Sequence, residues 1–135
     1  MTTINSNTVT VRNSAKEVHA WLCDMNNFKE LLPADKISEW QSDTTQCSFK
    51  VQNAILIPLI FVSKNDFDLI HIKSGEKAPF PFTLDVHIKA KSENECEGYI
   101  EFKGELNMFL KMVAERPLEN LFNHIAKRVA EIKST

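Results

Sequence analysis

Apolar residues in this chain change their spacing twice, and that change limits the fold more than any motif does. Behind Ser14 they recur every three or four positions as far as Leu32. Between about 36 and 105 they alternate by two, and from Leu106 to about Lys133 the helical spacing returns. Alternation marks strands with one face buried, and the three-to-four spacing marks helices with one apolar stripe.

The segment 3–12 is rich in β-branched residues and reads as a first strand. Ser14-Ala-Lys-Glu17 then forms a capping box, in which the serine hydroxyl accepts from the amide of Glu17 and the glutamate reaches back. Ala15, Val18, Trp21, Leu22 and Met25 follow at helical spacing, so the pattern predicts a short helix over 15–24. A second one over 24–32 is closed by Pro33. Six further strands are expected over 36–42, 45–53, 57–64, 67–73, 82–91 and 95–105. Polar turns are expected at Asp43-Thr44, Asn65-Asp66 and Glu93-Asn94. In the last two strands Phe82, Leu84, Val86, Ile88 and Ala90, then Cys96, Gly98, Ile100, Phe102 and Gly104, share the inward face. The stripe of the final helix runs through Leu106, Leu110, Val113, Pro117, Leu121, Ile125, Val129 and Ile132. Pro117 either bends this helix or breaks it in two at Arg116.

Length and composition narrow the function classes. The 135 residues suit a single domain, with 43% apolar and 25% charged residues and a net charge of −2. Such a balance offers no basic field for nucleic acid. The three glycines, Gly75, Gly98 and Gly104, are too dispersed for a dinucleotide fingerprint or a P-loop. The longest apolar run, Ala54–Val62, is interrupted by Pro58 and is about half of a membrane span. No secretory signal is visible at the polar amino terminus, so the expected location is the cytoplasm. Cys23, Cys47 and Cys96 are read as buried free thiols.

This order of elements implies an α+β helix-grip: a seven-stranded antiparallel sheet curled around one long C-terminal helix, with two short helices after the first strand. At 1.5 Å per residue the last helix is about 40 Å long, enough to cover the sheet's apolar face. A curled sheet and one helix leave space between them unless bulky side chains fill it, so a cavity of a few hundred Å3 is expected there.

Two stretches carry a family resemblance. Val9-Thr-Val-Arg-Asn-Ser-Ala-Lys-Glu-Val-His-Ala-Trp-Leu-Cys-Asp24, with Phe28-Lys-Glu-Leu-Leu-Pro33, resembles the opening of START-like or Bet v 1-like proteins. This superfamily also includes polyketide cyclases and coenzyme Q-binding proteins. Arg116-Pro-Leu-Glu-Asn-Leu-Phe-Asn-His-Ile-Ala-Lys-Arg-Val-Ala130 is similar to their closing helix. The resemblance implies a hydrophobic cavity for lipid-, quinone- or polyketide-like molecules and carries over no catalytic residue.

The candidate ligand-binding residues are Trp40, Phe49, Phe82, Leu84, Val86 and Phe102 on the sheet, with Met108, Phe109 and Met112 on the final helix. Thioethers suit a wall that adapts to its ligand. Among the histidines, His71 is the one candidate acid or base, on the condition that it faces inward. A one-residue change of register exchanges His71 with Ile70 and Ile72. His87 is read as solvated and His124 as flanking the helix stripe. His19 and Cys23 are two ligands without a third, so no metal site is assigned, and no cofactor is implied.

The hairpin 59–72 is apolar on both faces and is the candidate contact for a homodimer or a protein partner. The first functional reading is an apolar small-molecule carrier rather than an enzyme. Two others stand beside it: an interaction module resembling activators of a chaperone ATPase, and a cyclase or dehydratase using the same cavity.

Overall fold

The computed structural model describes residues 1–65 and 67–134. Strands β1 (Thr2–Asn5) and β2 (Val9–Val11) lead into α1 (Ala15–Leu22) and a 3-10 helix (Met25–Leu31). Strands β3 (Ile37–Ser42), β4 (Gln46–Val51), β5 (Ile55–Asn65), β6 (Leu69–Ser74), β7 (Phe82–Ser92) and β8 (Glu95–Gly104) follow, and α2 (Met108–Lys133) ends the chain. The strands pair antiparallel in the order β1-β8-β7-β6-β5-β4-β3, with β2 also on β8. This is the expected α+β helix-grip.

The expected first strand is divided, so eight strands occupy the place of seven. Thr2 pairs with Gly104 and Asn5 with Glu101, then Val9 with Gly98 and Val11 with Cys96. At the break the buried Ser6 keeps the ladder satisfied. Its amide donates to the Ile100 carbonyl at 2.9 Å, and its hydroxyl accepts from the Ile100 amide at 2.8 Å.

Helix α1 starts where the capping box places it, with the Glu17 amide donating to Ser14 Oγ at 3.1 Å. The second short helix is 3-10 rather than α. Asp24 caps it by accepting from the Asn26 amide at 3.0 Å. It buries Met25, Phe28 and Leu31 against the sheet, closing the side of the core that α2 does not reach. The β4–β5 turn uses left-handed Gln52 and Asn53, which shortens β4 relative to the expected 45–53 strand. The Asn65-Asp66 turn lies partly outside the described residues, at Asp66.

Helix α2 runs unbroken through Pro117, so the two-helix alternative is set aside. Its buried residues are Ala114, Leu118, Leu121, Phe122, Ile125, Ala126 and Val129. Val113, expected on the inward stripe, is 49% exposed, whereas Leu106 and Leu110 are half-buried against the core and full burial begins at Ala114. Three hydrogen bonds tie the second half of the helix and its carboxyl end to the opening of the chain. The Asn7 amide donates to Asn123 Oδ1 at 2.7 Å, the Arg12 amide to Ser134 Oγ at 3.0 Å, and Asn13 Nδ2 to the Lys133 carbonyl at 2.8 Å.

Candidate functional site

The space expected between sheet and helix is nearly filled. Phe102 is fully buried, with ring centres of Phe82, Phe122 and Phe80 at 5.2, 5.4 and 6.3 Å. Among the described residues, a hollow under the second half of α2 measures about 30 Å3, the scale of a single water. Its walls include Val11, Leu22, Phe28, Val86 and Ile125. The expectation of a few hundred Å3 is therefore corrected: aromatic side chains occupy the volume that the curl of the sheet leaves.

The candidate wall residues divide into three groups. Phe49, Phe82, Leu84 and Phe102 are core residues, and of the nine candidates Val86 borders the hollow. Trp40 is half-buried on β3 and stacks on Phe49 at 6.0 Å. Met108, Phe109 and Met112 do not line an interior wall. They are 82%, 69% and 79% exposed, on the side of the first turns of α2 away from Leu110, which packs half-buried against the core.

The register of β6 settles which way His71 points. Ile70 pairs with Val86 and Ile72 with Leu84, so both isoleucines are inside and His71 is on the outer face. The condition attached to its acid-base role is not met.

The interior histidine is His19, at 2% exposure, a position whose spacing to Cys23 by itself suggests only half of a metal pair. Its Nε2 donates to the Leu69 carbonyl at 3.2 Å, and its Nδ1 lies 3.7 Å from Cys23 Sγ. With the thiol donating to Nδ1, both ring nitrogens are satisfied, as a buried imidazole requires. The signal that could have found it is its place between Val18 and Leu22 on the packed side of a short helix.

The three cysteines are free, and burial raises all three thiols. Cys47 is pushed up to about 12. Thiolate chemistry is accordingly suppressed.

The outer face of the sheet is more polar. A groove of about 510 Å3 is lined by Leu69, His87, Lys89, Glu97 and Tyr99, with Thr8, Asn65 and Asp68 at its sides. His87 stacks on Tyr99 with ring centres 4.6 Å apart. Beside the groove, His71, Asp85 and Glu101 lie in one row across β6, β7 and β8. His71 Nδ1 is hydrogen-bonded to Asp85 Oδ1, and His87 Nε2 lies 3.2 Å from Glu101 Oε1. None of these four side chains is fully exposed.

No protein-family model and no curated protein matches the sequence. Solved structures do match. The protein XoxI from Bacillus cereus superposes with a TM-score of 0.75 at 13% identity, over 98% of this chain and 96% of that one. A START superfamily protein from Mycobacterium smegmatis gives 0.68 at 14%, over 97% and 96%. Norcoclaurine synthase from Thalictrum flavum, in complex with a transition-state analogue, gives 0.67 at 17%, over 98% and 96%. Among the described residues no helix is long and apolar enough to cross a membrane. At these identities the likeness concerns architecture, and the architecture is that of the strands and closing helix described above: the chain has the START-like, Bet v 1-like helix-grip fold.

Proposed function

We propose that this chain binds an apolar small molecule against the amino-terminal half of α2. The observation that carries the reading is the exposure of Met108, Phe109, Met112 and Val113, at 82%, 69%, 79% and 49%. Four large apolar side chains within two turns of one helix form a patch that is unfavourable in water and favourable once covered. Two of them are methionines, whose flexible thioethers mould to different ligand shapes. The far half of α2 is held by the bonds from Asn7, Arg12 and Asn13, and Pro117 removes one backbone donor between the two halves. The amino-terminal half is thus the part of the lid that can adjust around a ligand.

Binding is favoured over catalysis because His19 has both ring nitrogens engaged and the buried thiols are held protonated. The ligand class is lipid-, quinone- or polyketide-like, in keeping with the fold. The whole of residues 1–135 is read as one such domain in the cytoplasm.

Titration with an anilinonaphthalene sulfonate probe, paired with native mass spectrometry of the purified chain, tests this. We expect saturable probe fluorescence, displaced by a fatty acid or a quinone and abolished in Met112→Glu. A chain that neither retains an apolar compound nor binds the probe saturably refutes the proposal. A second reading, self-association through the β5–β6 hairpin, is supported by Val62 and Phe67, 45% and 46% exposed. Sedimentation showing a dimer that Val62→Asp dissociates distinguishes it.

A further inference from the structure

Asp85, His87 and Glu101 form, among the described residues, a group of three metal-competent side chains whose ligand atoms all lie within 4.8 Å of one another. The geometry points to a divalent transition-metal site here, on the outer face of β7 and β8, taking Zn2+ through one imidazole and two carboxylates. Local spacing in the sequence does not reveal this group, because its members meet across two paired strands.

The strand register builds this group. Asp85 stands directly opposite Glu101, and His87 is two residues along β7 on the same face. Two carboxylates facing each other across a ladder repel, so the pairing is stabilised by a cation between them. The groups near them are the His71 ring on Asp85, the His87 ring on Glu101, and the Lys103 ammonium, whose Nζ is 4.0 Å from Glu101 Oε1. Lys103 is exposed and can swing away. The 3.2 Å between His87 Nε2 and Glu101 Oε1 is also the edge of a tetrahedral zinc site, since two ligands about 2.05 Å from the ion stand roughly 3.3 Å apart. The Asp85 carboxylate lies within 4.8 Å of both and completes the set by closing on the ion.

The donor set selects the ion. An imidazole nitrogen suits zinc, copper, iron or nickel, whereas magnesium and calcium favour oxygen alone. His71 touches Asp85 rather than the group as a whole, and so acts as a positioning residue that fixes the carboxylate through Nδ1. Three protein ligands leave a coordination position open. His87 also lines the groove of about 510 Å3, so that position borders a space where a small molecule can reach the ion. This inference is independent of the apolar site on α2.

Calorimetric titration of the full chain with ZnCl2 at neutral pH tests it. We expect one Zn2+ per chain, unaffected by excess Mg2+. Affinity should fall at least tenfold in His87→Gln and in Glu101→Gln, and by about tenfold in His71→Ala. Cys23→Ser should bind as the unmodified chain does. Binding should also weaken toward acidic pH, because the ligands must be deprotonated. In the unmodified protein, NMR should show the His87 ring signals shifting with Zn2+ while those of His19 stay, which locates the ion without any substitution. The proposal is overturned if the unmodified chain binds no stoichiometric Zn2+, if both ligand variants bind it equally well, or if the His19 signals move instead.

Discussion

Gly104 lies against the ring of Phe102, two residues earlier on the same face of β8. A methyl group on its α-carbon would stand 2.8 Å from Phe102 Cζ and 3.3 Å from Phe82 Cβ. The glycine is there for space rather than for backbone freedom, and its absent side chain lets the Phe80, Phe82, Phe102 and Phe122 cluster close. Gly104→Ala should therefore cost about 1–3 kcal/mol, as overpacking of a filled core does. Urea denaturation gives the value, and an unchanged midpoint would mean that the cluster has slack.

Ser6 and Ile100 lead to a second expectation. The Ser6 hydroxyl is the acceptor for a buried amide at a place where the strand pairing is interrupted. Ser6→Ala leaves that amide without its partner and should destabilise the fold by about 1–3 kcal/mol. Ser6→Thr, which keeps the oxygen, should recover part of the loss in the same denaturation series.

The thiols offer a chemical check on packing. Cys47 and Cys96 are 3% and 1% exposed, and burial pushes Cys47 up to about 12. A disulfide reagent at neutral pH should leave both unmodified in the native chain and label all three cysteines once urea is added. Rapid native labelling of Cys47, read by peptide mass, would contradict the placement of β4.

His124 supplies a pH dependence. Burial first, then Arg128, lowers it from its ordinary value of 6.5. The unfolded chain therefore takes up this proton before the folded chain does. The contribution to stability is complete above 6.5 and declines as the pH falls from there through the folded value. Denaturation midpoints at pH 7.5 and 5.5 should differ more for the unmodified chain than for His124→Gln.

Much of the fold is legible in residue spacing. The alternation of Phe82, Leu84, Val86 and Ile88, and that of Cys96, Ile100 and Phe102, places these side chains inside, where the structure has them. Ala90, at the end of the same row, is exposed. The capping box at Ser14 and Glu17 starts α1 where the pattern requires.

The strand at 67–73 reads equally well in either register, since Leu69 and His71 alternate with Ile70 and Ile72. Pairing with β7 made the choice. The amino acids alone thus determined the kinds of elements, their order and the apolar side of the regular strands, because those follow from periods of 2 and 3.6 within a few neighbouring residues.

The tertiary structure alone decided how much volume the aromatic rings would fill, and that Met108, Phe109 and Met112 would stay uncovered. It likewise decided that Asp85, His87 and Glu101 would converge. Each of these depends on distances between residues far apart in sequence, fixed by strand register and helix placement that no local period encodes.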